Sequence, residues 1–316
     1  MPRTSNAKTS HAIYVPAAVS SFFEICDRNP DGSAIEDALR IGSRGGGFVI
    51  KKGSITKASI GKSVKTDSIA INLRETTEAR TTKSTIDLMR HKFGFGPVKI
   101  SHKIEPPIGT GFGTSGSGAL GAAIAISDLF HLNLTLAQVS AFAHKAEIES
   151  VTGLGTVISL ASGSGAIGLV TEPGSYSFGM VDSILLDYSE FALVCACFGP
   201  IEKSSVLLQE WKRQKVNEFG RATLDALLKD PTPTNLLKYS RVFAERTGIA
   251  SKELLALSDK AVELGALGAS QNMIGNAVHC LVKRHQSRSF IKSLLRFVPA
   301  ESIFVSDLIH SGPVFL

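Results

Sequence analysis

The stretch Pro107-Ile108-Gly109-Thr110-Gly111-Phe112-Gly113-Thr114-Ser115-Gly116-Ser117-Gly118 is the part of this chain most plainly suited to chemistry. Its five glycines, at 109, 111, 113, 116 and 118, strip side chains from the backbone, so that N–H groups can converge on an anion. The small, apolar run that follows predicts a helix over 118–130, whose positive N-terminal end adds to the attraction. Hydroxyls of Thr114, Ser115 and Ser117 can supply further hydrogen bonds or reach a metal. Such a segment suits a polyphosphate; a turn that only lets two elements pack rarely needs so many glycines and hydroxyls. Gly111-x-Gly113-x-x-Gly116 also fits the dinucleotide fingerprint, but that motif follows a fully apolar strand and precedes, by about twenty residues, a strand ending in an acid. Here the preceding strand alternates, Pro106-Pro107 intervene, and a helix cap at Thr135 stands near the later position. Gly61-Lys62-Ser63 looks like the end of a P-loop, yet Thr56 stands where that motif needs its first glycine.

The elements that must position the loop follow from periodicity. Val98, Ile100, His102 and Ile104 alternate with Lys99, Ser101 and Lys103, predicting a half-buried strand that runs into it. Strands are expected at 13–19 and 48–50, alternating segments within 58–73, and a short helix at 84–91. Thr135 is placed as the N-cap of a helix over 136–149, broken by Gly153 and Gly155. Apolar segments at 157–160 and 166–170 lead to the turn Glu172-Pro173-Gly174. After a buried strand at 191–198, amphipathic helices are expected near 203–229, 234–247 and 251–264. Pro231 and Pro233 separate the first two, and Gly248 closes the second. A loop over 265–275, an apolar helix through Val282, and strands at 303–305 and 314–316 complete the chain. Strands mixed with helices, without regular β–α alternation, argue for an α+β fold.

Composition sets the frame. The 316 residues, 43% hydrophobic and 20% charged, suffice for two domains at about 100–200 residues each. Four scattered cysteines form no disulfide framework. Cys195 and Cys197 share one strand face without a second ligand pair, so they read as small core residues in a reducing, cytoplasmic setting. No apolar run approaches the ~20 residues needed to cross a bilayer, and the polar first ten residues do not read as a secretory signal. The net charge of +6 is spread along the chain. It is not interleaved with aromatics, which disfavours nucleic acid and favours small anionic ligands.

With its neighbours, the loop resembles the second signature motif of the GHMP kinases, the superfamily of galactokinase, homoserine kinase and mevalonate kinase. The likeness extends to one archaeal branch over nearly the whole chain. It runs through Val15-Pro16-Ala17 with Phe22-Phe23-Glu24-Ile25, Gly42-Ser43-Arg44-Gly45-Gly46-Gly47 and Ala143-His144-Lys145-Ala146-Glu147. It continues in Asp230-Pro231-Thr232-Pro233, Phe243-Ala244-Glu245-Arg246-Thr247-Gly248 and Ser270-Gln271-Asn272-Met273-Ile274-Gly275. The resemblance implies an α+β fold: a ribosomal S5 domain 2-like, ATP-binding domain over 1–185 and a ferredoxin-like domain over 186–316. It also implies ATP-dependent phosphorylation of pantoate, a small hydroxy acid, on an archaeal route to coenzyme A. Its partners would then be a small molecule, and neither nucleic acid nor membrane, with a homodimer left open.

Carried over residue by residue, the resemblance places Pro107, Gly109, Gly111, Gly113, Thr114, Ser115, Gly116 and Ser117 around the terminal phosphates of ATP. Ser115 would lie beside Mg²⁺, and Glu147 would be a Mg²⁺ ligand; one carboxylate suffices because phosphate oxygens and water complete the shell. Arg44, read as part of a glycine-rich turn, could grip the acid's carboxylate through two parallel hydrogen bonds, or be an ordinary turn arginine. His144 shares a helix face with Glu147 and is either a substrate ligand or a satisfied core histidine. Ser20 or Ser21 is expected to line the same pocket.

The chain departs from the pattern at Gly153-Leu154-Gly155-Thr156, where the family usually has an aspartate in place of Thr156. A threonine hydroxyl is too poor a proton acceptor to act as a base, so Thr156 is expected to orient the acceptor hydroxyl. Phosphoryl transfer is largely positioning and charge stabilisation, which makes a working kinase compatible with this loss. A basic residue usual before the Pro-Gly turn is also missing, replaced by Gly168-Leu169-Val170. That motivates a mevalonate-like acceptor as one alternative. Thr156 motivates the other, a non-catalytic nucleotide-binding regulator.

Overall fold

The computed structural model describes residues 8–61, 64–200 and 209–316. Lys62, Ser63, most of the polar N-terminal tail and the expected start of a helix at 203 lie outside the described residues. Two sheets organise the chain. The first takes β1 (Lys8–Thr9), β2 (Ile13–Cys26), β3 (Gly42–Ile60), β4 (Ser68–Ile71), β5 (Arg74–Glu75), β6 (Lys99–Ile104), β7 (Ile167–Glu172) and β8 (Met180–Ser183). It also takes the final strand, Val314–Phe315, which returns to pair with β2. β2 and β3 form the spine: one end of β3 pairs with β7 and the other with β6.

Gly42–Gly47 is therefore strand, and Arg44 sits in β3 rather than in a turn. The glycines are needed because β2 crosses so closely that a Cβ at Gly47 would lie 2.0 Å from the Val19 carbonyl oxygen. Beside β2 and β3 lie α1 (Arg80–Phe93), α2 (Thr114–Phe130), α3 (Leu136–Glu149) and α4 (Thr156–Ser162). α2 is central: nearly all of it is buried, including Ala119, Leu120, Ala122, Ala123 and Ile126. Its small side chains let β3 and α3 approach its axis. α3 starts where its sequence signal puts it, because Thr135 and Gln138 form a reciprocal capping box, worth about 1 kcal/mol.

The second sheet takes β9 (Phe191–Cys197), β10 (Gly268–Gln271), β11 (Ala277–Lys283) and β12 (Ile303–Asp307), in the spatial order β10-β11-β9-β12. The helices α5 (Glu210–Lys229), α6 (Pro233–Thr247) and α7 (Lys252–Glu263) lie between β9 and β10, and α8 (Ser287–Leu294) precedes β12. This is a β-α-β-β-α-β, ferredoxin-like arrangement, so the molecule is α+β throughout. The last strand of the first sheet is β13 (Val314–Phe315). The boundary expected at 185/186 falls in the connection between β8 and β9.

Two expectations fail here. The apolar run through Val282 is strand β11, not a helix, and β10 lies inside the segment expected as loop. β11 is flanked on both sides by strands and almost wholly buried, which gives the continuous apolar pattern that periodicity cannot separate from a buried helix. A large apolar cluster joins the lobes: Val19, Phe22 and Phe48 from the first pack with Leu193, Phe243, Met273 and Leu281 from the second. No helix among the described residues is long and apolar enough to cross a membrane.

Candidate active site

β6 delivers the chain to Pro106-Pro107, and the glycine segment runs from there to Gly113, the residue before α2. Gly109, Gly111 and Gly113 take φ of +82°, +87° and +62°, a left-handed backbone that glycine adopts without steric cost. No side chain caps α2, so its first N–H groups stay available to a ligand. Thr114, Ser115, Gly116 and Ser117 form the helix's first turn rather than part of the loop.

The loop is held on several sides. The Thr110 hydroxyl donates to the Pro107 carbonyl at 2.8 Å, and the Ala18 amide to the Phe112 carbonyl at 3.2 Å. A Cβ at Gly109 would lie 2.5 Å from Pro200, at Gly111 2.7 Å from Asn272, and at Gly113 2.6 Å from the Thr156 methyl. Asn272 Nδ2 donates to the Thr110 carbonyl at 3.1 Å. Its Oδ1 then accepts from His279 Nδ1 at 3.0 Å, and His279 Nε2 accepts from the Ser21 hydroxyl at 2.9 Å. All three side chains are buried. Burial pushes the His279 pKa down to about 3, which keeps the ring neutral and the chain of bonds intact.

Two clefts lie near this segment, and it borders the first. One is bordered by Ile71, Ile104, Ile108, Gly109, Thr114 and Ser115, with Thr81, Thr82 and Thr152 nearby. The other lies between β2, β3 and α4 and is closed by Met273 and Ile274 of the second lobe. Ser20, Ser43, Thr156 and Ser159 contribute hydroxyls to it, Leu154 and Phe22 apolar surface, and Arg44 the one charge among its described lining residues. Glu147 packs against Gly153 and lines neither cleft. It is 1% exposed, and its Oε2 accepts from the Gly155 and Val157 amides at 3.3 and 3.4 Å, an anion at the start of α4. Its Oε1 lies 3.4 Å from the Cβ position of Gly116, and the Thr156 Cβ lies 3.2 Å from that same position. Glu147 and Thr156 therefore flank one point at the start of α2.

Arg44 is paired with Glu24, its Nη2 2.5 Å from Oε2. Burial opposes its charge, but the hydrogen bond and field of Glu24 outweigh that and raise its pKa. Three expected residues face elsewhere. Ser117 is fully buried, its hydroxyl turned back to the Thr114 carbonyl. Ser21 turns into the His279 bond, whereas Ser20 lines the cleft. His144 is fully buried and donates from Nε2 to the Ile41 carbonyl at 2.9 Å, with Nδ1 unpartnered; it does not line either cleft. Sequence reasoning passed over Ser43, Ser159 and the Asn272–His279 pair. Ser43 and Asn272 lie inside segments already singled out, but nothing in sequence tells which side chains of a motif face a cavity.

Comparison with known proteins supports the same architecture. The family model described as "GHMP kinases N terminal domain" matches residues 80–163, from α1 through the glycine segment to the end of α4. The chain is similar to the pantoate kinase of Methanocaldococcus jannaschii, at 29% identity over 86% of this chain and 93% of the relative. It is similar to the pantoate kinase of Thermococcus kodakarensis, also at 29%, over 87% and 88%. A solved structure titled "Phosphotransferase related to CoA biosynthesis pathway" superposes with a TM-score of 0.83 at 25% identity, covering 96% of this chain and 97% of that one. In the order of its motifs and in the two-lobed α+β fold built around them, the chain resembles the GHMP kinases, whose N-terminal domain model its residues 80–163 match.

Proposed function

We propose that the protein is a pantoate kinase, transferring the γ-phosphoryl group of ATP to the 4-hydroxyl of pantoate. The observation that carries this reading is the glycine segment bordering one cleft while Thr156, packed against Gly113 and Gly116, lines the other, with Glu147 close to the same point. ATP would occupy the cleft beside Ile104, Ile108 and Thr114, with its phosphates on the bare amides at the start of α2. Pantoate pairs a carboxylate with a branched dimethyl carbon and a primary hydroxyl. The second cleft offers one guanidinium, an apolar wall of Leu154, Met273 and Ile274, and several hydroxyls. The strong likeness to archaeal pantoate kinases supports the same acceptor.

The Thr156 hydroxyl would orient the attacking oxygen, and the cleft's apolar wall would exclude water. No carboxylate lines the acceptor cleft among its described residues, so the rate would rest on alignment and on electrostatic stabilisation by the loop amides. Among the described residues no three His, Cys, Asp or Glu side chains gather as a metal cluster. Glu147 Oε1, left over by the amides on Oε2, fits a single carboxylate ligand for magnesium carried by ATP oxygens. Magnesium bound there would neutralise charge on the transferred group. The test is product formation: purified protein with ATP and Mg²⁺ should convert pantoate to 4-phosphopantoate faster than it phosphorylates pantothenate, homoserine or mevalonate. Equal or better use of mevalonate would move the acceptor to that class, and ATP binding without any turnover would make the protein a regulator.

A further inference from the structure

Glu24 is 3% exposed and holds two guanidinium groups. Its Oε2 accepts from Nε and Nη2 of Arg44, at 2.9 and 2.5 Å, and its Oε1 from Nε and Nη2 of Arg221, at 3.1 and 2.9 Å. Glu24 and Arg44 are directly opposite one another in the β2–β3 ladder, so backbone pairing sets their separation. Arg221 comes from α5. The adjacent Gly220 lets that helix press onto β2, where an added Cβ would lie 2.2 Å from the Phe23 carbonyl oxygen. Nearby Asp27 is bound to Arg213 at 2.5 Å.

Two guanidiniums against one carboxylate leave an excess positive charge, and Arg44 presents it to the acceptor cleft. Glu24 takes the Nε–Nη2 edge of Arg44, and the Cys26 side chain, also hydrogen-bonded to Arg44, holds the guanidinium further at the border of the cleft. A long side chain with many rotamers is thereby held in one direction before any substrate arrives. We infer that Glu24, braced by Arg221 from the second lobe, is a positioning residue that aims Arg44 at the acceptor's carboxylate, so that the site selects acids over their neutral analogues. This rests on the reading of the acceptor cleft given above.

A double-mutant cycle tests it, read in the dissociation constant of pantoate by calorimetry and in KM. Glu24→Gln should weaken pantoate about tenfold and leave KM for ATP unchanged. Arg44→Gln should weaken it about a hundredfold and abolish the preference for pantoate over its neutral amide. The double variant should match Arg44→Gln alone, because Glu24 acts only through Arg44. Arg44→Gln keeps the Glu24–Arg221 pair, and thermal melts check that each variant is folded. Losses that multiply in the double variant, or a Glu24→Gln effect equal on ATP and pantoate, would overturn the inference. Should the wild type bind another hydroxy acid and not pantoate, the acceptor assignment fails, and the same cycle on that acid judges Glu24 separately.

Discussion

At the scale of single residues, Thr156 and Glu147 are the two side chains whose chemistry the site should feel most. Thr156 lies against Gly113 and Gly116 and lines the cleft proposed for the acceptor. Thr156→Val keeps its shape and removes the hydroxyl, so kcat should fall about tenfold, the worth of one hydrogen bond, with KM for ATP little changed. Glu147→Gln keeps an acceptor for the Gly155 and Val157 amides. Stability should therefore hold within about 1 kcal/mol while kcat falls about a hundredfold or more through the lost charge. Steady-state kinetics beside thermal melts separate the two effects; a collapsed melting point in Glu147→Gln would give the residue a structural role only. The resemblance to a known family, more than residue type, singled these two out in the chain. The inward turn of Ser21 and of Ser117 was not legible, since a hydroxyl beside a motif reads the same whichever way it points.

At the scale of elements, the start of α2 does most of the work, and its glycines have separate reasons to be there. Gly113 has a left-handed φ of +62° and would place a Cβ 2.6 Å from the Thr156 methyl. Gly113→Ala should cost about 1–2 kcal/mol from its backbone conformation alone, and push Thr156 aside. KM for ATP should rise at least about tenfold, measured by nucleotide titration. Asn272→Ala removes the bond to the Thr110 carbonyl and leaves His279 Nδ1–H buried without an acceptor. That should destabilise the fold by about 1–3 kcal/mol and raise KM for ATP, seen in denaturant midpoints together with kinetics. The limits of α3 could be read directly because a capping box writes its own start into the sequence. β11 could not be read: a strand buried on both faces loses the alternation that would mark it.

At the scale of the whole molecule, two buried histidines tie stability to pH. Burial pushes His102 down to about 4 and His279 down to about 3. His102 lies between the Thr56 and Thr82 hydroxyls, and His279 between the lobes. Both folded-state values lie below the ordinary 6.5, so on acidification the unfolded chain takes up protons first. Their contribution is intact above about pH 6.5 and is lost progressively as pH falls toward about 4. Between pH 7.5 and pH 5.5 unfolding free energy should drop by about 3 kcal/mol from these two groups together. Denaturant titrations at the two pH values measure it, and equal midpoints would mean that neither ring is held neutral by the fold.

By itself the sequence determined the glycine segment before α2, the α+β character and the order of the motifs, because local backbone demands decide these: glycine where no Cβ fits, a capping pair where a helix begins. It also shows Thr156 where the resemblance leads one to expect an aspartate. Only the tertiary structure decided which side chains share a cavity. The cleft between β2, β3 and α4 draws Ser43 and Arg44 from β3, Leu154 and Thr156 from the entry to α4, and Met273 and Ile274 from the second lobe. Ser21 beside His279 and Arg221 beside Glu24 are likewise partners distant in the chain. Contacts of that kind arise when apolar faces pack and bring remote segments together, a step that one-dimensional spacing does not encode.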